Sequence, residues 1–224
     1  MTAMQRRSPL GYRTAQRTAD GSIAITQRPF EGKLILRGDP SVIGASVADM
    51  MGARLPAKVH ETTTGPRGTT QWLSPDEWLI GTTPDAEAAL IRDLTAALTG
   101  KHHQIANVTD YYTTIELSGA HAREMLMKIA TVDFDPLTFK SGMGVTTNLG
   151  RVNAWLRATA DDSFDIVIRI SMADYLWCLL AESGHEWGLA GLEPKGAGVK
   201  LHLPHFETDE QATASVDPAP TPDL

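Results

Sequence analysis

The chain has little cysteine and no long apolar run, and both shortages limit the classes of protein to which it can belong. Cys178 is the single cysteine among 224 residues, which excludes an intramolecular disulfide and a cysteine-based metal cluster. Because Cys178 lies in the apolar stretch 175–180, we expect a buried and unreactive thiol. The longest apolar runs, such as residues 175–181, are too short to span a bilayer. Residues 1–20 are basic and polar and lack an apolar export signal, so we expect a cytoplasmic protein without a membrane partner.

Excess positive charge is also missing. The net charge of −7 argues against a nucleic-acid partner, which would require a basic surface. The charge is unevenly distributed, since residues 207–224 hold five acids and no lysine or arginine. Three prolines in the same stretch favour a disordered acidic tail.

Two stretches of the chain carry the same order of predicted elements. The first has a strand at 34–36, a helix at 40–52, a β-rich segment at 62–80 and a helix at 84–98. The second has a strand at 114–117, a helix at 121–129, a β-rich segment at 145–170 and a helix at 171–182. The sequence therefore predicts a duplication of one structural unit.

The predicted fold class is α+β, built from duplicated βαββα-type units whose helices pack on two ferredoxin-like sheets. The predicted ranges are 1–20 for an irregular N-terminal segment, 21–101 and 102–188 for the two units, 189–206 for a C-terminal extension and 207–224 for the tail. Parallel βαβ alternation with a glycine-rich phosphate loop is absent, which disfavours a doubly wound nucleotide fold.

Histidines offer the first candidates for chemistry. His102 and His103 precede a predicted strand, where neighbouring side chains point to opposite faces, so we favour an exposed pair over a metal site. His202 and His205 lie three residues apart in a proline-containing segment without a third ligand nearby. We favour a strand by which the chain leaves the folded region.

Paired acids offer the second group of candidates. Asp133 and Asp135 could act as an acid–base pair only if one were desolvated, and we favour a turn before a proline. Asp76 lies in a tight turn between Trp72 and Trp78, where it could contact a ligand. A hairpin turn whose tryptophans pack in the core is favoured. The Gly-Met-Gly stretch at 142–144 has no following helix and does not predict a phosphate loop.

Six motifs occur in the order and spacing of one known family. The most specific is Trp-Leu-Ser-Pro-Asp-Glu-Trp-Leu at residues 72–79. The others are Ser-Pro-Leu at 8–10, Leu-Arg-Gly-Asp-Pro at 36–40, Thr-Ile-Glu-Leu-Ser-Gly at 114–119, Asp-Phe-Asp-Pro-Leu-Thr-Phe at 133–139 and Arg-Ile-Ser-Met-Ala-Asp-Tyr-Leu at 169–176. Together they resemble the gamma subunit of heterotetrameric sarcosine oxidase over residues 8–188.

The resemblance implies an aminomethyltransferase-like, folate-binding type of fold and a role in a four-subunit flavoenzyme. That enzyme demethylates sarcosine oxidatively to glycine and releases hydrogen peroxide with formaldehyde, or with 5,10-methylenetetrahydrofolate when tetrahydrofolate accepts the carbon. The resemblance also implies FAD, FMN, NAD and tetrahydrofolate in the alpha and beta partner subunits and zinc in the delta subunit. The alpha subunit is the expected main contact. For this chain the resemblance implies no catalytic, cofactor-binding or metal-binding residue.

Two other functions stay open at this point. One is a gamma-type subunit of a related N-methylglutamate dehydrogenase complex. The other is a free-standing folate-binding protein, for which Asp76 with Trp78, or Asp110 with Tyr112, would be the acid–aromatic pairs that hold the pterin. An assembly subunit would instead bury aromatic and methionine side chains against a partner. Candidates for such anchors are Met50, Met51, Trp78, Tyr111, Tyr112 and Trp177.

Overall fold

Residues 7–190, which the computed structural model describes, form two antiparallel sheets with helices packed on each. The strands are β1 (Gln16–Arg17), β2 (Ala24–Arg28), β3 (Gly32–Gly38), β4 (Thr62–Gly65), β5 (Gly68–Ser74), β6 (Glu77–Thr82), β7 (His103–Asn107), β8 (Tyr112–Ser118), β9 (Gly144–Leu149), β10 (Val152–Ala160) and β11 (Ser163–Arg169). The helices are α1 (Pro40–Met51), α2 (Glu87–Ala97), α3 (Ala122–Ile129) and α4 (Ala173–Ser183), with short 3₁₀ turns at Ile170–Met172 and His185–Trp187.

The order of strands repeats between the two sheets, and the predicted α+β class is confirmed. The five-stranded sheet runs β4-β5-β6-β3-β7, and the six-stranded sheet runs β9-β10-β11-β8-β2-β1. In both halves a strand and a helix are followed by three consecutive antiparallel strands and a second helix. The repeated unit is therefore βαβββα, one strand longer than the predicted βαββα.

The two halves exchange one strand each. β2 precedes the first unit along the chain but pairs with β8 of the second, from Ala24 opposite Ser118 to Arg28 opposite Thr114. β7 precedes the second unit but pairs with β3 of the first. The sheets thus do not take their strands from the ranges 21–101 and 102–188 separately. Backbone hydrogen bonds across this exchange tie the two halves together.

Local signals explain where the helices of the first unit begin and end. The Asp39 side chain caps α1 by accepting a hydrogen bond from the Ser41 amide at 2.8 Å, and Gly52 ends the helix at φ +71°. For α2 the predicted start at residue 84 is wrong. Asp85 has φ +63°, outside the helical region, and the helix begins at Glu87.

Each sheet buries one face under its own helices. The five-stranded sheet and α1 and α2 enclose a core that includes Leu34, Ile43 and Leu94. The six-stranded sheet and α3 and α4 enclose a larger core that includes Ile166 and Trp177. The opposite face of each sheet points away from the helices, and these two faces meet in the middle of the molecule. No helix in residues 7–190 has the length and apolar character needed to cross a bilayer.

Candidate functional site

The two sheets face each other through a mixture of polar and apolar side chains. On the six-stranded sheet Thr114, Val167 and Trp155 lie opposite one another in register, on the side away from α3 and α4. Lys33 and Thr69 occupy the corresponding side of the five-stranded sheet. These five residues line a cavity of about 280 Å³, which we call the intersheet cavity.

Asp165 on β11 is the centre of a charge cluster beside the intersheet cavity. Its side chain is only 6% exposed, and Arg157 on β10 donates from Nη2 to its Oδ2 at 2.6 Å. Arg28, at the end of β2, forms an ion pair with Asp165 Oδ1. The Nε of Arg28 also lies 3.3 Å from Glu31 and 3.7 Å from Glu116. Two guanidinium groups therefore enclose one buried carboxylate.

Lys33 and Glu31 extend this cluster across the gap between the sheets. The buried Lys33 ammonium donates to the Glu31 carbonyl oxygen at 3.2 Å and lies 3.8 Å from its carboxylate. Thr114 on β8 donates from its hydroxyl to Glu31 Oε2 at 2.8 Å, which links the two sheets. Burial lowers the pKa of Lys33, and the carboxylate of Glu31 partly counteracts that effect.

Charges of opposite sign lie close together throughout the cluster. Each of its three carboxylates lies within 4.0 Å of an arginine. The remaining space is large enough for several water molecules, because one water occupies roughly 30 Å³ in the liquid.

Beyond the intersheet cavity the same face of the six-stranded sheet is open. Tyr112 packs against Trp155 with ring centroids 4.4 Å apart and against Tyr111 with centroids 5.1 Å apart. A second cavity of about 290 Å³ is lined in part by Tyr112, Trp155 and the exposed Arg169. Trp155 and Val167 line both cavities, so the two spaces adjoin.

The Asp76 turn does not form a ligand site around Trp78. Trp78 is buried, and its indole N–H donates to a backbone carbonyl oxygen at 2.8 Å. Trp72 is partly buried. The Asp76 carboxylate accepts a hydrogen bond from the Ser74 hydroxyl and pairs with Arg37, each at 2.9 Å. These two contacts, the Ser74 hydrogen bond first, lower the pKa of Asp76. A pterin could not stack on Trp78 without opening the core, so this proposed acid–aromatic pair is wrong.

The described histidine pair, His102 and His103, does not form part of a metal site. His103 begins β7, and its Nδ1 lies 2.8 Å from the carbonyl oxygen of Lys101, while His102 is exposed just before the strand. Residues 7–190 contain no group of three or more histidine, cysteine, aspartate or glutamate side chains that could hold a metal ion. His202 and His205 lie outside the described residues, as does most of the predicted C-terminal extension and the whole acidic tail.

The second acid pair and the Gly-Met-Gly stretch take structural roles. Asp133 Oδ1 accepts from the Asp135 amide at 2.9 Å, and Asp135 Oδ1 accepts from the Leu137 amide at 2.8 Å, which confirms the predicted turn. Gly142 has φ +84° in a turn and Gly144 begins β9, so a strand follows this stretch.

Cys178 is partly buried on α4. Its Sγ lies 3.3 Å from Arg13 Nη2, and burial raises the pKa of the thiol, with Asp174 adding to the effect. A raised pKa reduces the thiolate fraction at neutral pH, which agrees with the predicted unreactive thiol.

Three of the six predicted anchor residues lie in the cores. Met51, Trp78 and Trp177 are each about 1% exposed and cannot contact a partner directly. Met50 and Tyr112 are partly buried, and Tyr111 is exposed. The side-chain types alone could not separate core from surface, because aromatic residues and methionine occur in both places.

The sequence interpretation missed the charge cluster around Asp165. A signal was present, because the turn at residues 161–162 sets a hairpin register in which Arg157 lies opposite Asp165. Both residues alternate with apolar neighbours that point into the core, so both had to share the other face.

The model of the sarcosine oxidase, gamma subunit family matches residues 37–186. This chain belongs to that family. A curated relative, the sarcosine oxidase subunit gamma of Corynebacterium sp. (strain U-96), is 30% identical over 192 residues, which cover 83% of this chain and 93% of the relative.

Two solved structures resemble the fold. One is the heterotetrameric sarcosine oxidase from Corynebacterium sp. U-96 in complex with pyrrole 2-carboxylate, in which the matching chain has a TM-score of 0.76 and 27% identity. That match covers 84% of this chain and 99% of the other. The other is the glycine cleavage system aminomethyltransferase T from Bartonella henselae, with a TM-score of 0.53 and 15% identity over 70% of this chain and 44% of that chain. At that identity the likeness concerns the fold alone.

Proposed function

We propose that this chain is the gamma subunit of a heterotetrameric oxidase that demethylates sarcosine. The observation that carries the proposal is the match to a chain of heterotetrameric sarcosine oxidase, because it covers 99% of that chain and 84% of this one. The proposed reaction converts sarcosine, oxygen and water into glycine, formaldehyde and hydrogen peroxide. With tetrahydrofolate as acceptor, 5,10-methylenetetrahydrofolate replaces the formaldehyde.

The proposed contribution of this chain is a binding surface for its partners and no catalytic group. The pairing of Asp165, Glu31 and Glu116 with arginines supports a structural role for the largest internal charge cluster. Under this proposal FAD, FMN, NAD and tetrahydrofolate belong to the alpha and beta subunits and zinc to the delta subunit. We expect the assembled enzyme in the cytoplasm.

The test is co-expression of this chain with the alpha, beta and delta subunits encoded in the same organism. We expect an affinity tag on this chain to recover a yellow complex of four subunits that consumes oxygen when sarcosine is added. Glycine and formaldehyde should appear in equal amounts. N-methylglutamate is the control substrate and should give little oxygen consumption.

Two results would contradict the proposal. Recovery of this chain alone, as a colourless monomer, would exclude the subunit role. A four-subunit complex that oxidised N-methylglutamate but not sarcosine would keep the role and change the substrate. No observation among residues 7–190 favours that alternative or a free-standing folate protein.

A further inference from the structure

One end of the six-stranded sheet presents aromatic and basic side chains, and of these only Trp155 also lines the intersheet cavity. They come from the turn before β8, from β8, β10 and β11, from the turn between β9 and β10, and from the 3₁₀ turn before α4. We call this group the aromatic–arginine patch, and it consists of Tyr111, Tyr112, Arg151, Trp155, Arg169 and Met172.

The pairing register of the strands explains why this end of the six-stranded sheet stays open to solvent. Thr114 lies one row inward, where its hydroxyl donates to Glu31 in the loop before β3 and the intersheet cavity begins. Tyr112 lies opposite Arg169 in the next row of the same face. That row no longer lines the intersheet cavity, and it borders the second cavity instead.

The exposed side chains of the patch are of the types that dominate binding energy at interfaces. Tyr111 is 49% exposed and Met172 is 44% exposed, and Ile170 beside them is also exposed. Tyrosine, tryptophan, arginine and methionine are enriched in interface cores relative to the rest of a protein surface. The aromatic rings hold one another in place, since Tyr112 contacts both Tyr111 and Trp155. Little side-chain entropy would be lost when a partner covers them.

Charge distinguishes the patch from the rest of the chain. Within the described residues neither Arg151 nor Arg169 forms an ion pair with a carboxylate, although Arg169 lies over the Tyr111 ring at 5.2 Å from its centroid. The whole chain carries a net charge of −7, and against this acidic background the two arginines of the patch line the same cavity. Complementary potentials guide association, which favours a partner surface that carries carboxylates.

We propose that the aromatic–arginine patch docks an acidic, partly apolar surface of another subunit of the oxidase. The inference rests on the proposed function for the existence of that subunit. Carboxylates of the partner would pair with Arg151 and Arg169, and an apolar side chain would enter the cavity between Trp155 and Met172. A second copy of this chain is the competing occupant.

The first test is affinity between this chain and the purified alpha–beta–delta assembly, measured at low and high salt. The test variant carries Arg151→Glu and Arg169→Glu together. Because both side chains are exposed, these changes should leave the fold intact, which far-ultraviolet circular dichroism checks. Arg92→Glu is the matched control, since Arg92 is exposed on α2 behind the other sheet. We expect the double variant to raise the dissociation constant at low salt by about 100-fold, and the control to leave it unchanged.

The second test needs no substitution. Met172 and Met127 are similarly exposed, at 44% and 42%, but only Met172 belongs to the patch. Limited oxidation followed by mass spectrometry should modify both methionines in the free chain. In the complex, oxidation of Met172 should fall several-fold while oxidation of Met127 stays as in the free chain.

The outcomes separate this inference from the proposed function. If the wild-type chain fails to bind the other subunits, the proposed function is wrong and this inference is overturned with it. If wild type, control and double variant bind equally well and Met172 stays open to oxidation, only the docking inference is overturned. If the double variant dissociates a homodimer and leaves partner affinity unchanged, the occupant is a second copy and the inference is again overturned.

Discussion

Replacement of Asp165 by asparagine isolates the contribution of the buried charge cluster. The change keeps the size of the side chain but removes its negative charge. Arg157 would then lose the carboxylate that it binds at 2.6 Å, and Arg28 would keep only Glu31 and Glu116, at 3.3 Å and 3.7 Å from its Nε. A guanidinium would remain next to the intersheet cavity without its carboxylate.

The expected loss of unfolding free energy follows from the burial of the three groups. Removing one partner of a fully buried ion pair costs about 3–5 kcal/mol. Asp165 is 6% exposed, but both arginines reach solvent in part, which reduces the cost. We therefore expect Asp165→Asn to lower the free energy of unfolding by about 2–3 kcal/mol. Asp76→Asn is the matched control, because that ion pair with Arg37 is half exposed and should contribute much less than the buried pair.

Urea denaturation followed by circular dichroism measures both values on the full chain. A second variant strengthens the test, since Arg157→Met in the Asp165→Asn background removes the uncompensated charge. We expect the double variant to be more stable than the sum of the two single effects predicts, by about 1–2 kcal/mol. A loss at Asp165 no larger than the loss at Asp76 would refute the argument that the cluster is desolvated and cooperative.

Two further predictions concern backbone geometry and pH. Gly119→Ala should lower the free energy of unfolding by about 3 kcal/mol or more, because φ is +116° and the new Cβ would overlap the Ser22 carbonyl. Gly21→Ala is the control, and it should cost only about 1 kcal/mol, because Gly21 has φ +75° in open space. Equal melting temperatures of the two variants would contradict this prediction. Arg54 and nearby amides lower the pKa of Glu61 to about 2. The ionised Glu61 carboxylate therefore stabilises the folded chain above pH ~4.5, and this contribution is lost as the pH falls toward 2. Glu61→Gln should flatten that part of the stability–pH curve, and an unchanged curve would count against the pairing.

Much of the secondary structure could be predicted because its signals are local. Asp39 and Gly52 mark the two ends of α1 through a side-chain cap and a left-handed residue. The turns at 65–68 and 161–162 fix two hairpins, since turn residues determine which strand residues lie opposite one another. The start of α2 escaped prediction, because Pro84 and the acids after it fit a first helical turn, whereas Asp85 adopts a positive φ.

The candidate site was far less predictable. Glu31 and Lys33 lie far along the chain from Asp165, and the three meet only because the helix-free faces of the two sheets face each other. The aromatic–arginine patch needs the same packing, since the position of the five-stranded sheet decides which row of the other sheet stays uncovered. Tyr111 was named as an anchor candidate from its type alone, together with Trp78 and Trp177, which the cores enclose.

The sequence by itself determined most of the elements, their duplication, the α+β class and the family. Those properties depend on short-range periodicity, on turn chemistry and on motifs that stay together along the chain. Only the tertiary structure decided that β2 and β7 change sheets, which carboxylates are buried and which aromatic side chains reach solvent. The physical reason is that pairing between distant strands, and the packing of one sheet on another, depend on the free energy of the whole fold and not on any local segment.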